Sequence, residues 1–297
     1  DNTEAFLGDQ FVNQLDRQNG EATVAFSDLE EELWFGGADV SLEVLDWLRG
    51  TVGYAYSDTQ RYSERRVFSF LNTDGERSGE FRQGVGLLRP DLLLGDAIID
   101  YFRLRLDETT ETDPAFEAGL EIHAGYGMIR AEPVTGLSFD LGVRYEDAVQ
   151  FVRPAPVFTV PIASERSSRL ENSYWLPAGT VTLEVIDGLQ LRAHASRTIA
   201  RPQFRELIFQ PYFDPDTNRS FSGNPFLIDS ELTNFEVRAE YYLGRGQSVS
   251  LAGFYKDIQD PIEVFSSFSD NDQNSSFANA PKATLYGAEV DLQYSFD

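Results

Sequence analysis

Tyr212, Phe213, Asp214, Asp216, Asn218 and Arg219 crowd into one proline-interrupted stretch of the chain. Their carboxylate and amide oxygens are hard donors of the kind Ca²⁺ takes, and their rings could stack on a sugar. The spacing and glycine of an EF-hand loop are missing, so we expect no metal here. Ligand contact and a solvated loop braced by prolines both stay open. Asp107, Glu108, Glu111 and Asp113 form a second acidic group. Paired carboxylates are what glycoside hydrolysis uses, yet clusters of this kind in loops are mostly just solvated. Arg197 and Arg201 could make a cation pair for an anionic ligand, and Arg192 with His194 could contact one from a strand. His123 and His194, the only two histidines, fall on the polar positions of alternating segments, which suits a wet interior better than metal ligation.

Other chemistries lack their residues. With no Cys there is no thiolate zinc site, Cys nucleophile or disulfide framework. No Ser–His–Asp arrangement, phosphate loop or nucleotide-binding glycine motif occurs. We therefore expect no enzyme and no cofactor. The formal charge of −25 argues against nucleic acid, whose phosphates are gripped by clustered Lys and Arg. No apolar run reaches the roughly 18 residues of a membrane helix, a test that membrane strands escape.

The elements that must position these groups read as strands. Leu189, Leu191, Ala193 and Ala195 alternate with Gln190, Arg192, His194 and Ser196. Phe139, Leu141, Val143 and Tyr145 alternate with polar neighbours, as do Phe235, Val237, Ala239 and Tyr241, and Tyr286, Ala288, Val290, Leu292 and Tyr294. Period two gives each strand one apolar and one polar face. Weaker copies cover Val40–Val44, Thr51–Ser57, Leu120–Met128 and Thr180–Val185.

Connections alternate in length. Short ones fall at Asp46–Trp47, Glu132–Gly136, Ile186–Gly188 and Gly244–Gln247, and long ones at Arg153–Trp175, Arg201–Leu232 and Gln259–Lys282. Turns on one side and loops on the other are the plan of an outer-membrane barrel. Segments such as Ser138–Phe151 and Ala283–Phe296 also reach the roughly 9–11 residues a tilted membrane strand needs. Aromatics at segment ends, such as Tyr174–Trp175 and Tyr241–Tyr242, suit interfacial girdles. A soluble β-sandwich shares the alternation, with its apolar faces turned to a core. Residues 1–36 and 72–112 are poorly assigned, the latter with room for a strand or a short helix.

Several motifs resemble the β-barrel of TonB-dependent outer-membrane receptors. Gly142-Val143-Arg144-Tyr145-Glu146 is similar to one family strand, and Trp175-Leu176-Pro177 opens another. The run from Leu191 through Arg197-Thr198-Ile199-Ala200-Arg201-Pro202 looks like the family's Ser-Arg-Thr-x-Ala-Arg-Pro strand end. Gly223-Asn224-Pro225, Phe254-Tyr255-Lys256-Asp257 and Tyr286-Gly287-Ala288-Glu289 follow in family order. The resemblance implies an all-β fold: residues 1–297 are a segment of a large transmembrane antiparallel up-and-down β-barrel, about 10 to 12 strands, with plug domain and closing strands absent. It further implies location in the outer membrane of a Gram-negative bacterium. The function expected is TonB-energised uptake of a siderophore, vitamin or oligosaccharide, with outer-membrane lipid and the TonB complex, reached through the plug, as partners. A passive porin-like barrel and a soluble glycan-binding protein are the alternatives. Arg197 is expected to face the lumen, and Arg201-Pro202 to end its strand at the base of a loop. The chain begins at Asp1 without a signal-peptide pattern, so we read it as a mature segment or a piece of something longer.

Overall fold

The computed structural model describes the chain apart from residues 1–2, 8–9, 15–22, 73–88, 111–113, 159–166, 210, 215–218, 245, 269–272 and 295–297. Two short strands open it, β1 (Thr3–Leu7) and β2 (Gln10–Gln14), paired antiparallel. Long strands β3 (Thr23–Leu45) and β4 (Leu48–Asn72) come next. Helices α1 (Pro90–Leu93) and α2 (Asp96–Phe102) lead to β5 (Leu104–Glu108). Then come β6 (Ala115–Val134), β7 (Leu137–Ala155), β8 (Ser168–Ile186) and β9 (Leu189–Ala200). Helix α3 (Phe204–Leu207) precedes β10 (Pro211–Asp214) and β11 (Arg219–Ser222). The chain ends with β12 (Ser230–Gly244), β13 (Gln247–Gln259), β14 (Ile262–Phe268), β15 (Gln273–Asn279) and β16 (Lys282–Gln293).

One ten-stranded sheet runs in the order β16-β13-β12-β9-β8-β7-β6-β4-β3, with β5 added to β4. The chain divides into two compact units. The first holds Asp1–Glu30, Tyr62–Phe116 and Ala155–Ala163; the second holds Glu31–Arg61, Glu117–Pro154 and Ser164–Asp297. In the first unit, β5 pairs with the end of β4 from Phe68↔Glu108 to Asn72↔Leu104. The second unit contains most of the strand wall.

Register in that wall aligns like with like. Leu191, Ala239, Leu251 and Val290 form one row across β9, β12, β13 and β16, and Phe235, Tyr255 and Tyr286 form another. The opposite face carries Arg192 beside Arg238, and His194 beside Glu236. The apolar face is bare: Val290 is 74% exposed and Leu292 71% exposed. A soluble sandwich would bury such rows as its core, and an apolar surface this extensive marks contact with lipid or another protein. Along β7 and β8 the apolar face runs from Leu137–Leu183 to Tyr145–Trp175. That is about 27 Å along the strand, suited to a membrane band about 25 Å tall.

The four short turns stand where the sequence puts them. Asp46–Trp47 joins β3 to β4, and Gly136 (φ 85°) and Gly188 (φ 80°) take left-handed conformations in the next two. The long connections differ from expectation. β7 and β8 keep pairing out to Val152↔Ser168, well past Arg153–Trp175 as first bounded. The described parts of the other two loops contain strands: β10, β11, β15 and β14 make a four-stranded sheet in which β11 and β15 pair in parallel. Residues 72–112 provide both short helices and a strand, and residues 23–36 belong to β3.

A charge added to one face and a charge removed from the other separate lipid from lumen. Leu191→Arg in the full-length protein should cost roughly 2–4 kcal/mol near the bilayer midplane and deplete the folded form in outer-membrane fractions. Arg192→Ala, one residue on, should assemble at the normal level by heat-modified gel mobility.

Candidate functional site

Thr180 from β8, Arg192 and His194 from β9, and Glu236, Arg238 and Glu240 from β12 line a cavity of about 240 Å³. Strand alternation places each of them on the polar face, and register brings them together: Thr180↔His194↔Glu236 make one row and Arg192↔Arg238 the next. Two guanidinium groups directly opposite would repel. Carboxylates offset this: Arg238 Nε lies 3.1 Å from Glu236, and Arg238 Nη1 3.8 Å and Arg192 Nη2 3.5 Å from Glu240. Tyr242 donates its hydroxyl to Glu240 at 3.1 Å, and Thr180 Oγ1 lies 2.9 Å from His194 Nδ1. A guanidinium has five N–H donors, so these few contacts leave capacity for a ligand carrying oxygen acceptors. No cluster of three or more metal-binding side chains occurs among the described residues.

A second polar centre holds the base of the loop after β9. Arg201 Nη2 donates to Glu146 at 2.6 Å, and Arg144 Nε donates to its other oxygen at 2.9 Å. The Glu146 side chain is only 8% exposed, so both cations offset its desolvation. Gln150 Nε2 donates to the Pro202 carbonyl at 2.7 Å. Asp229, at the far end of the same loop, accepts from Asn172 Nδ2 and from the Tyr174 hydroxyl, which stands opposite Glu146. Arg201-Pro202 does follow the end of β9 at Ala200.

Gly223, Asn224 and Pro225 clasp the two loops. A Cβ on Gly223 would collide with the backbone oxygens of Ile208, Glu206 and Arg205. Asn224 N–H bonds the Glu206 carbonyl, its Nδ2 bonds the Phe277 carbonyl in β15, and its Oδ1 accepts from Phe226 N–H. Ser168 Oγ donates to the Pro225 carbonyl. Leu176 and Pro177 stand opposite Arg144 and Val143 on β7. The β8–β9 pairing starts only at Ala178, so Pro177 occupies a place where its missing N–H leaves no ladder bond open on that side. Tyr145 packs on Trp175 at 4.9 Å between ring centres; Tyr255 lies in the aromatic row, and Lys256 is opposite Asn234 and Leu285 on the polar face.

Other expectations need correction. Arg197 does not share the face of Arg192: it pairs opposite Thr233, on the face of Leu191, Ala193 and Ala195, and bonds Glu231. An odd offset along a strand reverses the side, so Arg197 cannot belong to the face of Arg192. His123 is likewise on the apolar side. A Cβ on Gly142 would meet the Met128 side chain, which puts the even positions of β6 on the polar face, and His123 is odd. There it stands 2.5 Å from the Tyr54 hydroxyl and 3.1 Å from Glu121. In the first unit Glu108 is no free acid. Arg66 grips it through Nε at 2.8 Å and Nη2 at 2.7 Å, and that hydrogen bonding holds its carboxyl below the usual range. Glu111 and Asp113 lie outside the described residues.

Of the loop candidates, Tyr212, Phe213 and Asp214 form β10 and Arg219 opens β11 opposite Asp214. Asp216 and Asn218 lie outside the described residues. Thr180, Glu236, Arg238 and Glu240 escaped sequence reading as site residues. Their alternation was visible, but only register reveals that they meet Arg192 and His194.

Removing Arg201 leaves Glu146 buried with one cation, so Arg201→Ala should destabilise the full-length protein by about 3 kcal/mol in chemical unfolding. Gly223→Ala should expose the loop between β9 and β12 to limited proteolysis, since only backbone atoms stand in the way and backbone cannot step aside.

Comparison with known proteins agrees with this architecture. The family model described as TonB dependent receptor-like, beta-barrel, matches residues 1–297. Comparison with curated proteins finds no match. Among solved structures, the siderophore receptor PiuA from Acinetobacter baumannii is similar at TM-score 0.56 and 13% identity, over 90% of this chain and 36% of that one. The ferric yersiniabactin uptake receptor FyuA from Yersinia pestis is similar at 0.54 and 10%, over 97% and 36%. The copper transporter OprC is similar at 0.57 and 14%, over 89% and 35%. At such identities the likeness concerns the fold, and this chain spans little more than a third of each of those proteins. With its family model matched from end to end, the chain belongs to the β-barrel family of TonB-dependent receptors.

Proposed function

We propose that this chain is the lumen wall and part of the loop surface of an outer-membrane transporter that takes up a scarce ligand with energy from TonB. The ligand class is a siderophore, vitamin or oligosaccharide. A plug domain elsewhere in the full-length receptor contacts the TonB complex, further strands cover the edges β3 and β16, and no bond of the ligand is cut. The observation that carries this reading is the two-sided wall. Its outer rows are apolar and bare, while its inner face gathers Arg192, Arg238, Glu236 and Glu240 around one cavity. A lumen of balanced, partly saturated charges can hold an oxygen-rich ligand and release it again, since each contact is exchanged for another nearby.

The test is uptake of labelled candidate ligands by cells that express the full-length receptor, with TonB present or deleted. Energised transport predicts saturable uptake that vanishes without TonB. Uptake that persists without TonB and rises linearly with concentration would establish the passive porin-like alternative instead. Arg238→Ala leaves Glu236 and Glu240 without their shared cation. It should lower uptake roughly tenfold, the scale of one lost charge-assisted contact, at unchanged receptor level.

A further inference from the structure

The polar face of the wall does not stay polar across β13 and β16. One row on that face runs through Thr180, His194, Glu236, Phe254 and Gly287, from β8 to β16. Thr180, His194 and Glu236 line the charged cavity. Phe254 and Gly287 continue the row beyond it without a charge. Leu285, two residues from Gly287 and so on the same face, is 52% exposed. Buried Ala252, opposite Arg238 in the next row, completes an apolar shelf beside the cavity.

Gly287 decides how the ring stands. A Cβ there would fall 2.7 Å from Phe254 Cζ and 3.0 Å from Cε1. The far end of the ring therefore fills the space of the missing side chain, and Phe254 lies across the wall instead of standing upright in the lumen. The cavity next to it is balanced. Arg192 and Arg238 answer Glu236 and Glu240, with separations of 3.5, 3.1 and 3.8 Å. Two cations against two carboxylates leave no spare charge to hold a strongly anionic ligand, and the chain as a whole carries −25. What remains are the N–H donors and carboxylate lone pairs that the ion pairs do not use up.

We propose that Phe254 is a stacking platform for a sugar ring, and that the ligand of this wall is a neutral oligosaccharide. This deepens the uptake reading above and rests on it. A sugar ring is itself two-sided, with hydroxyls around its edge and C–H groups on its faces. Those C–H groups settle against the negative face of an aromatic ring. The hydroxyls both donate and accept, which suits neighbouring guanidinium and carboxylate groups. Spacing fits as well: Gly287 stands two strand spacings from Glu236, about 10 Å, so one sugar over Phe254 leaves the next one at the cavity. A chelate with several negative oxygens would have to break the Arg–Glu pairs to be held, whereas a sugar leaves them intact.

The test uses the full-length receptor in neutral detergent. It is titrated with a panel of labelled neutral oligosaccharides of glucose, xylose, mannose and N-acetylglucosamine, and with a ferric tricatecholate as the anionic counterpart. At least one oligosaccharide should bind saturably. Phe254→Leu keeps the apolar bulk without the ring and should weaken that binding about tenfold, while Phe254→Tyr should restore most of it. Phe254→Trp should bind with a tryptophan emission that shifts as the site fills, which a residue serving only the fold would not show. Tyr286→Leu, on the other face of β16, should leave binding unchanged, and heat-modified mobility reports that each variant is folded. Binding of no oligosaccharide, or native affinity in folded Phe254→Leu, overturns the proposal. TonB-dependent uptake of the tricatecholate alone overturns this site and keeps the uptake reading. An oligosaccharide that binds through Phe254 yet enters cells equally well without TonB keeps the site and overturns energised uptake.

Discussion

In a lipid interior no water is at hand for an N–H or C=O group, and each one left unpaired costs several kcal/mol. The rest of this structure follows from that constraint. A lone strand cannot satisfy it, so each must find partners on both sides. The ladder from Leu137↔Leu183 to Val152↔Ser168 and the ladder from Leu189↔Tyr241 to Ala200↔Ser230 are such solutions. Once the ladders are fixed, so is the row in which each side chain stands. Bare apolar rows on one side and the Arg192–Arg238 cluster on the other are consequences of register as much as of composition. Pro177 shows the same constraint by exception, placed just beyond the point where β8 begins to pair with β9.

Past the aromatic rows, water returns and the constraint relaxes. There the chain spends its charges on joints. Glu146 between Arg144 and Arg201 ties the loop base to β7, and Asp229 takes up Asn172 and Tyr174 from β8. Such buried polar groups contribute little net stability while intact and cost a good deal when half is removed. They fix where the loop leaves the wall, and therefore where its small sheet stands.

Much of this was legible in the sequence. The alternations of Leu189–Ser196 and Tyr286–Tyr294 have one physical source, a face toward lipid and a face toward water, and they gave strands and turns directly. Legibility failed where that source fades. The upper part of β8, from Ser168 to Ser173, is polar on both sides apart from Leu170, so period two disappears although the ladder continues to Val152↔Ser168. Residues 23–36 were missed because Leu29, Leu33 and Phe35 fall on the other face from Val40 and Leu42, which blurs the alternation of β3. Arg197 stands on the side that its parity with Leu191 and Ala195 dictates, against the lumen-facing place that motif likeness implies. The cluster around Arg192 was beyond reach: each member is an ordinary charged strand residue until register sets β9 beside β12.

The parallel pairing of β11 with β15 joins segments more than fifty residues apart, Ser220 with Asn274 and Ser222 with Ser276. Phe221 and Phe277 stack across the same junction at 6.0 Å. Neither loop can therefore reach its ordered shape before the hairpin of β12 and β13 has brought the other into range. Contacts of such long sequence separation form late, after the local hairpins have already removed most of the chain's freedom. The same joint also binds the two loops' histories together. A substitution that reshapes one edge strand alters the seat of the other, so new surface chemistry here has to arise by paired changes in two distant stretches of sequence.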